Sequence, residues 1–248
     1  MEPLLPHQVQ RILNSNRRIS FSTDSPRAHI WFLRIDDLET VDLRCLSPDE
    51  HDRARRFRFD ADRVSFAGTR AVLRQLLAHY AAELPASLEF SYGPNGKPFL
   101  ANNNRNVSFN VSRSRPYSVI AVTNGLSPGI DIEVIRPVQE YRGIASRYFT
   151  PRQLEWLNSR DEKDRVRNFF RIWVLKEAVL KADGRGLSMP LNEVDMELSD
   201  TPLSASLWRL WRLWELGSRE DCLAAVALDS AITSFVTFDS PQDCPPNP

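Results

Sequence analysis

The sequence predicts an α+β fold, with helices and strands laid out as two halves of similar order. Three observations carry this. Apolar residues recur at helical intervals in two long stretches, near residues 60–84 and 161–183. Between Leu88 and Val122, short apolar runs alternate with Gly-, Pro- and Asn-rich turns, which is the pattern of β structure. After residue 125 the order strand, capped helix, long helix and terminal strands comes round again.

The segment HIWFLRI (29–35) reads as the opening strand. Ser47-Pro48-Asp49-Glu50 then supplies an N-cap, a proline at the first helical position and a capping-box glutamate, so a helix starts there. From Asp60, the residues Val64, Ala67, Ala71, Leu76, Leu77 and Tyr80 mark the main helix of the first half, stopped by Pro85. LEFSY, VSFNV and YSVIAV are strands separated by the turns YGPNGKP and ANNNRN. GIDIEVI opens the second half as a strand, and Thr150-Pro151-Arg152-Gln153 caps a second helix. A long helix follows from about Asp161 to Asp183, ended by Gly184. In LWRLWRLWEL (207–216) the tryptophans are spaced by three, yet Trp211, Leu213 and Glu215 also fit one face of a strand. Because Gly217 and SRED lead straight into CLAAVAL, a hairpin with packing tryptophans is favoured. Residues 241–248 read as a flexible tail.

A chain of 248 residues is one large domain or two small lobes, and 42% hydrophobic with 26% charged residues is ordinary globular composition. Thirty-two Lys plus Arg balance 32 Asp plus Glu, so no global field exists for nucleic acid or an anionic membrane, and any anion site must be local. The start, MEPLLPHQVQ, lacks a basic and then apolar leader, and no apolar run spans a bilayer, which predicts a cytoplasmic protein. Cys45, Cys222 and Cys244, like His7, His29, His51 and His79, are scattered, which argues against a disulfide framework or a zinc site.

Chemistry concentrates in three segments. In GIDIEVIRP, strand alternation turns Ile130, Ile132 and Val134 to one face and Asp131 and Glu133 to the other. Two carboxylates roughly 7 Å apart repel unless water or a cation compensates them, and a hard divalent ion is one common answer. A wet strand face is the other. In FFRIWVLKEAVLKADGRGL, Glu177 and Lys181 share a helix face, either as a surface ion pair or as part of a site.

Taken in order, FNVSRS, GIDIE and WVLKEAVLK resemble the three signature segments of the larger, two-lobed 4′-phosphopantetheinyl transferases, often called Sfp-type. Gly96-Lys97-Pro98 and GRGLSMPL also match, so the resemblance runs from about Ser47 to Leu191. It implies a monomeric pseudodimer of two similar α/β lobes with the active site in the cleft between them. Residues 1–125 would bind the nucleotide end of coenzyme A, and residues 126–240 would carry the metal and catalytic groups. Asp131, Glu133 and Glu177 match the family's acidic set for magnesium, with manganese as a substitute. Glu177 and Lys181 match its catalytic glutamate and the lysine beside the reacting phosphate. Arg53, Arg63, Lys97, Pro98, Ser112, Arg113 and Lys176 match positions expected to hold coenzyme A. The implied reaction moves phosphopantetheine from coenzyme A to a serine of an acyl or peptidyl carrier protein and releases adenosine 3′,5′-bisphosphate. Whether Glu177 takes the serine proton directly or through water stays open.

Two departures stand out. The family usually has histidine where this chain has Arg113; the cation is kept, with a fixed charge and a bidentate grip. Gln153 stands where an acid is frequent, and Glu50 where some relatives are basic. Two other readings use the same residues: a magnesium-dependent nucleotide hydrolase, against which the lack of a Gly-rich phosphate loop counts, and a non-catalytic binder of coenzyme A or carrier.

Overall fold

The predicted elements are amphipathic, so their apolar faces have to meet. In the computed structural model they meet as two stacked sheets, each with a long helix on its outer face. Residues 8, 9, 11, 13, 21, 28–35, 41–204, 206–217 and 220–238 are described; the expected tail at 241–248, with Cys244, and also His7, lie outside them. The first half runs β1 (Ala28–Arg34), α1 (Pro48–Arg55), α2 (Asp60–Ala81), β2 (Phe90–Tyr92), β3 (Pro98–Leu100), β4 (Val107–Ser114) and β5 (Tyr117–Asn124). The second runs β6 (Gly129–Val134), α3 (Tyr141–Tyr148), α4 (Pro151–Asn158), α5 (Glu162–Asp183), β7 (Ser206–Trp208), β8 (Trp211–Leu216), β9 (Cys222–Asp229) and β10 (Phe235–Phe238).

The helix starts are those their caps demand. Capping boxes close at Ser47 with Glu50 and at Thr150 with Gln153, and Gly184 ends α5 in the left-handed conformation (φ 82°) that glycine adopts without penalty. The two halves repeat one topology. Sheet orders are β10-β1-β5-β4 and β6-β9-β8-β7, so β1-β5-β4 corresponds to β6-β9-β8, all antiparallel. Both α2 and α5 are 22 residues long. Strand alternation distributes the core. Trp31 and Leu33 of β1 face Leu73, Leu76 and Leu77 of α2, while Ile30 and Phe32 face Ile130, Ile132 and Val226 of the other sheet. On the far side, Ile172, Leu175 and Val179 of α5 pack on Leu213, Ala225 and Ala227.

Three elements differ from expectation. β10, assigned from sequence to the second half, pairs in parallel with β1 and stacks Phe238 on Trp31 with ring centroids 4.0 Å apart, so it completes the first sheet. The stretch 207–216 is two strands: Trp208 pairs with Trp211 across a turn at Arg209, whose φ is 52°, and β8 then makes the expected hairpin with β9. A non-glycine residue at positive φ concealed that turn. Helix α3 has no side-chain cap bond at Glu140, so it carried no start signal. Among the described residues, no helix is long and apolar enough to cross a membrane.

Candidate active site

β4 and β6 lie at the edges of their sheets, where alternate backbone groups lack ladder partners. Side chains supply them. On β4, Asn110, Ser112 and Ser114 alternate onto the face toward β6: Asn110 Oδ1 accepts from the Ile130 N–H (3.0 Å), and Ser114 Oγ accepts from the Val134 N–H (2.9 Å). Between these anchors sit the two carboxylates. Ser112 Oγ donates to Asp131 Oδ1 (2.7 Å), and Ser114 Oγ donates to Glu133 Oε2 (3.1 Å). Gly129 sets the depth, because a Cβ there would lie 1.9 Å from the Ala178 carbonyl oxygen. Only glycine lets β6 rest directly on α5, and that contact brings Asp131 to Lys181.

Lys181 Nζ donates to Asp131 Oδ1 (2.5 Å) and to Ser112 Oγ (2.9 Å), joining α5, β6 and β4 at the junction of the lobes. Asp131 is only 4% exposed, and its Oδ2 has no hydrogen-bond partner among the described residues. Burial pushes its carboxyl up, opposed by the charge and hydrogen bond of Lys181 and the Ser112 bond, while Glu133 adds to the rise. Glu177, one helical turn before Lys181, is half-buried. Burial and then Asp131 raise its carboxyl, Lys181 opposes them, and Glu133 reinforces the rise. The three carboxylates thus feel one another. They do not close into a three-ligand cage: no group of three or more His, Cys, Asp or Glu side chains among the described residues is gathered that tightly. The Lys181 ammonium holds the near side of Asp131, and Arg136 binds Glu133 at 2.9 Å.

Not all the sequence candidates converge here. Ser112 and Arg113 are neighbours on a strand and therefore diverge. Arg113 turns to the outer face, where its guanidinium and that of Arg53 both lie 5.2 Å from the Phe66 ring centroid. Desolvation and then Arg53 push the Arg113 guanidinium below its ordinary value, without removing its charge. An open depression of about 410 Å³ bounded by Arg53, Arg56 and Phe57 adjoins this pair. Arg63 pairs with Asp60 at 3.0 Å on the exposed first turn of α2. Pro98 borders two cavities between the lobes. One, of about 240 Å³, is lined by Asn95, Val111, Glu177 and Lys181; the other, of about 320 Å³, by Phe99, Leu100, Val107 and Phe109.

Two lysines spend their donors inside the protein. Lys176, expected at a phosphate, is fully buried on the far side of α5. Its Nζ donates to the carbonyls of Leu191 and Val194 (2.7 Å each), and burial pushes its ammonium down to about 7. It pins the chain after α5. Lys97 Nζ spends its donors on Ser127 Oγ (2.6 Å), the Pro128 carbonyl (3.1 Å) and the Lys181 carbonyl (2.5 Å), and desolvation lowers it to about 8. Gln153 is likewise structural: wholly buried, it donates to the Val194 carbonyl (3.1 Å) and to Met196 Sδ (2.9 Å). Glu50 bridges Arg70 and Arg74 in the interior.

Asn110 and Ser114 were missed, although their signal was available. Asn110-x-Ser112-x-Ser114 has the same period of two as Asp131-x-Glu133 and is its partner stripe.

Comparison with known proteins gives this arrangement its family. Residues 35–125 match the model of the 4′-phosphopantetheinyl transferase N-terminal region, and residues 127–226 match that of the 4′-phosphopantetheinyl transferase superfamily. The 4′-phosphopantetheinyl transferase HetI of Nostoc sp. is 36% identical over 213 residues, covering 82% of this chain and 88% of that protein. The L-aminoadipate-semialdehyde dehydrogenase-phosphopantetheinyl transferase of Homo sapiens is 30% identical over 63% of this chain and 54% of its own length. The 4′-phosphopantetheinyl transferase ffp of Bacillus subtilis is 29% identical over 62% and 67%. Two consecutive matches that divide between β5 and β6, and a relative aligned over most of both chains, establish that this chain belongs to the 4′-phosphopantetheinyl transferase superfamily.

Proposed function

We propose that this transferase moves the 4′-phosphopantetheine arm of coenzyme A to a serine hydroxyl of an acyl or peptidyl carrier protein and releases adenosine 3′,5′-bisphosphate, with Asp131, Glu133 and Glu177 holding a magnesium ion. The observation that carries the metal reading is Asp131 Oδ2, buried and without a hydrogen-bond partner among the described residues. A buried carboxylate oxygen needs a compensating group, and an all-oxygen donor set suits a hard cation. Magnesium needs only one or two protein carboxylates beside substrate phosphates and water, so the missing closed cage does not oppose it. When bound, the ion would spread charge over the pyrophosphate.

The chain's own groups do the rest. Lys181 offers its ammonium to the phosphate being cleaved and to the leaving oxygen. Glu177, whose carboxylate has no hydrogen bond or ion pair among the described residues and a raised affinity for protons, receives the proton of the carrier serine, directly or through water. Arg53 and Arg113 beside Phe66 offer fixed positive charge to the 3′-phosphate, so residues 1–125 take the nucleotide end and 126–240 the reacting end. A cytoplasmic monomer with internal two-fold pseudosymmetry belongs to this reading. The test is to incubate the protein with coenzyme A, magnesium and an apo carrier domain and to weigh the carrier. Gain of one phosphopantetheine unit is expected; nucleotide turnover without any gain would make the chain a hydrolase.

A further inference from the structure

The last carbonyls of a helix have no partner within it, and a cation brought to them also meets the negative end of the helix dipole. At the end of α5 the cation comes from the other lobe. Lys97, in the β2–β3 turn, places Nζ 2.5 Å from the Lys181 carbonyl and 3.5 Å from that of Ala182, and also binds Ser127 Oγ and the Pro128 carbonyl just before β6. Asn95 of the same turn donates from Nδ2 to the Gly184 carbonyl (3.0 Å). An ammonium has three protons, and the three shortest contacts use all of them.

Lys181 is therefore held twice: through its carbonyl by Lys97 and through its ammonium by Asp131 and Ser112. The first hold fixes where the end of α5 stands relative to the first lobe, which carries Ser112. We propose that Lys97 is a positioning residue, an inter-lobe latch that sets the Lys181 ammonium against Asp131 and Ser112 for the transfer proposed above. The inference rests on that transfer for its kinetic consequence but not for its geometry.

Three readouts on the full chain test it: kcat and KM for coenzyme A with an apo carrier, melting temperature, and the side-chain ε-CH₂ resonance of Lys181, assigned by its loss in Lys181→Met. Lys97→Met should lower kcat about ten- to a hundred-fold, the effect of a small misplacement of a reacting group. It should leave KM for coenzyme A within about two-fold, the signature of an interaction made only in the transition state. It should also shift the Lys181 resonance. Lys97→Arg, which keeps a cation at the helix end, should recover part of kcat and guards against misfolding of the methionine variant. A large rise in KM with kcat intact would make Lys97 a coenzyme A contact and overturn the proposal. A lower melting temperature with kcat and the Lys181 resonance unchanged would overturn it too. If the wild type transfers nothing, the proposed function fails, while the resonance still decides whether the latch exists.

Discussion

Lys176→Met separates a structural lysine from a ligand contact at a position where the family resemblance implies a coenzyme A contact and the structure gives the ammonium two core carbonyls. In the wild type, Nζ serves two carbonyls at 2.7 Å inside the core, and the side chain has no exposure. Methionine fills much the same space and removes both bonds, leaving each carbonyl one remaining donor, the Val194 N–H on Leu191 (3.1 Å) and Gln153 on Val194 (3.1 Å), so the loss is about 0.5–1.5 kcal/mol per bond, or roughly 1–3 kcal/mol in all. For a chain of this size about 2–4 °C is lost per kcal/mol, so the melting temperature should fall by roughly 2–12 °C. A pH signature goes with it. Burial holds the folded-state ammonium near 7 against its ordinary 10.5. Below about 7 both states carry the proton and the group adds no slope. Between about 7 and 10.5 the unfolded chain binds more protons, so wild-type stability climbs with pH, and the variant loses that climb. Differential scanning calorimetry across this range, with KM for coenzyme A measured well below the melting point, decides the matter. An unchanged melting temperature together with a ten-fold higher KM would refute the structural role and restore the phosphate contact.

Other outcomes follow from single contacts. Gly129→Ala drives a Cβ into the Ala178 carbonyl, so stability should drop by about 1–3 kcal/mol in chemical denaturation, and turnover should fall as β6 is pushed off α5. Arg113→Ala should raise KM for coenzyme A more than for 3′-dephospho-coenzyme A; equal effects would remove Arg113 from the 3′-phosphate. In Arg113→His the same affinity should weaken as pH rises through about 6.5, a dependence the wild type lacks. Gln153→Glu turns a donor toward Val194 into a carboxylate in a site with no exposure. It should destabilise the fold increasingly as pH rises above the ordinary carboxylate range, with no gain in turnover.

Where chemistry follows period, the sequence was informative. Capping boxes at Ser47 and Thr150, the stop at Gly184 and the split faces of GIDIEVI all depend on neighbours within a few residues, and all appear as read. The union of Asp131, Lys181 and Ser112 was legible only through resemblance, because each comes from a different element. The fates of Lys97 and Lys176 were not legible. Motif position shows that a lysine stands near the site; whether its protons reach a ligand or a carbonyl depends on which way a helix face turns and on what the other lobe brings. β10 was hidden for a similar reason, since a four-residue strand does not reveal which of two sheets has the free edge.

Transfer that depends on Asp131 is read from the intact mass of an apo carrier incubated with coenzyme A, magnesium and either wild-type protein or Asp131→Ala. The wild type should add one phosphopantetheine unit, and the folded variant almost none. A carrier left unmodified by the wild type, or modified equally fast by the folded Asp131→Ala variant, would contradict it.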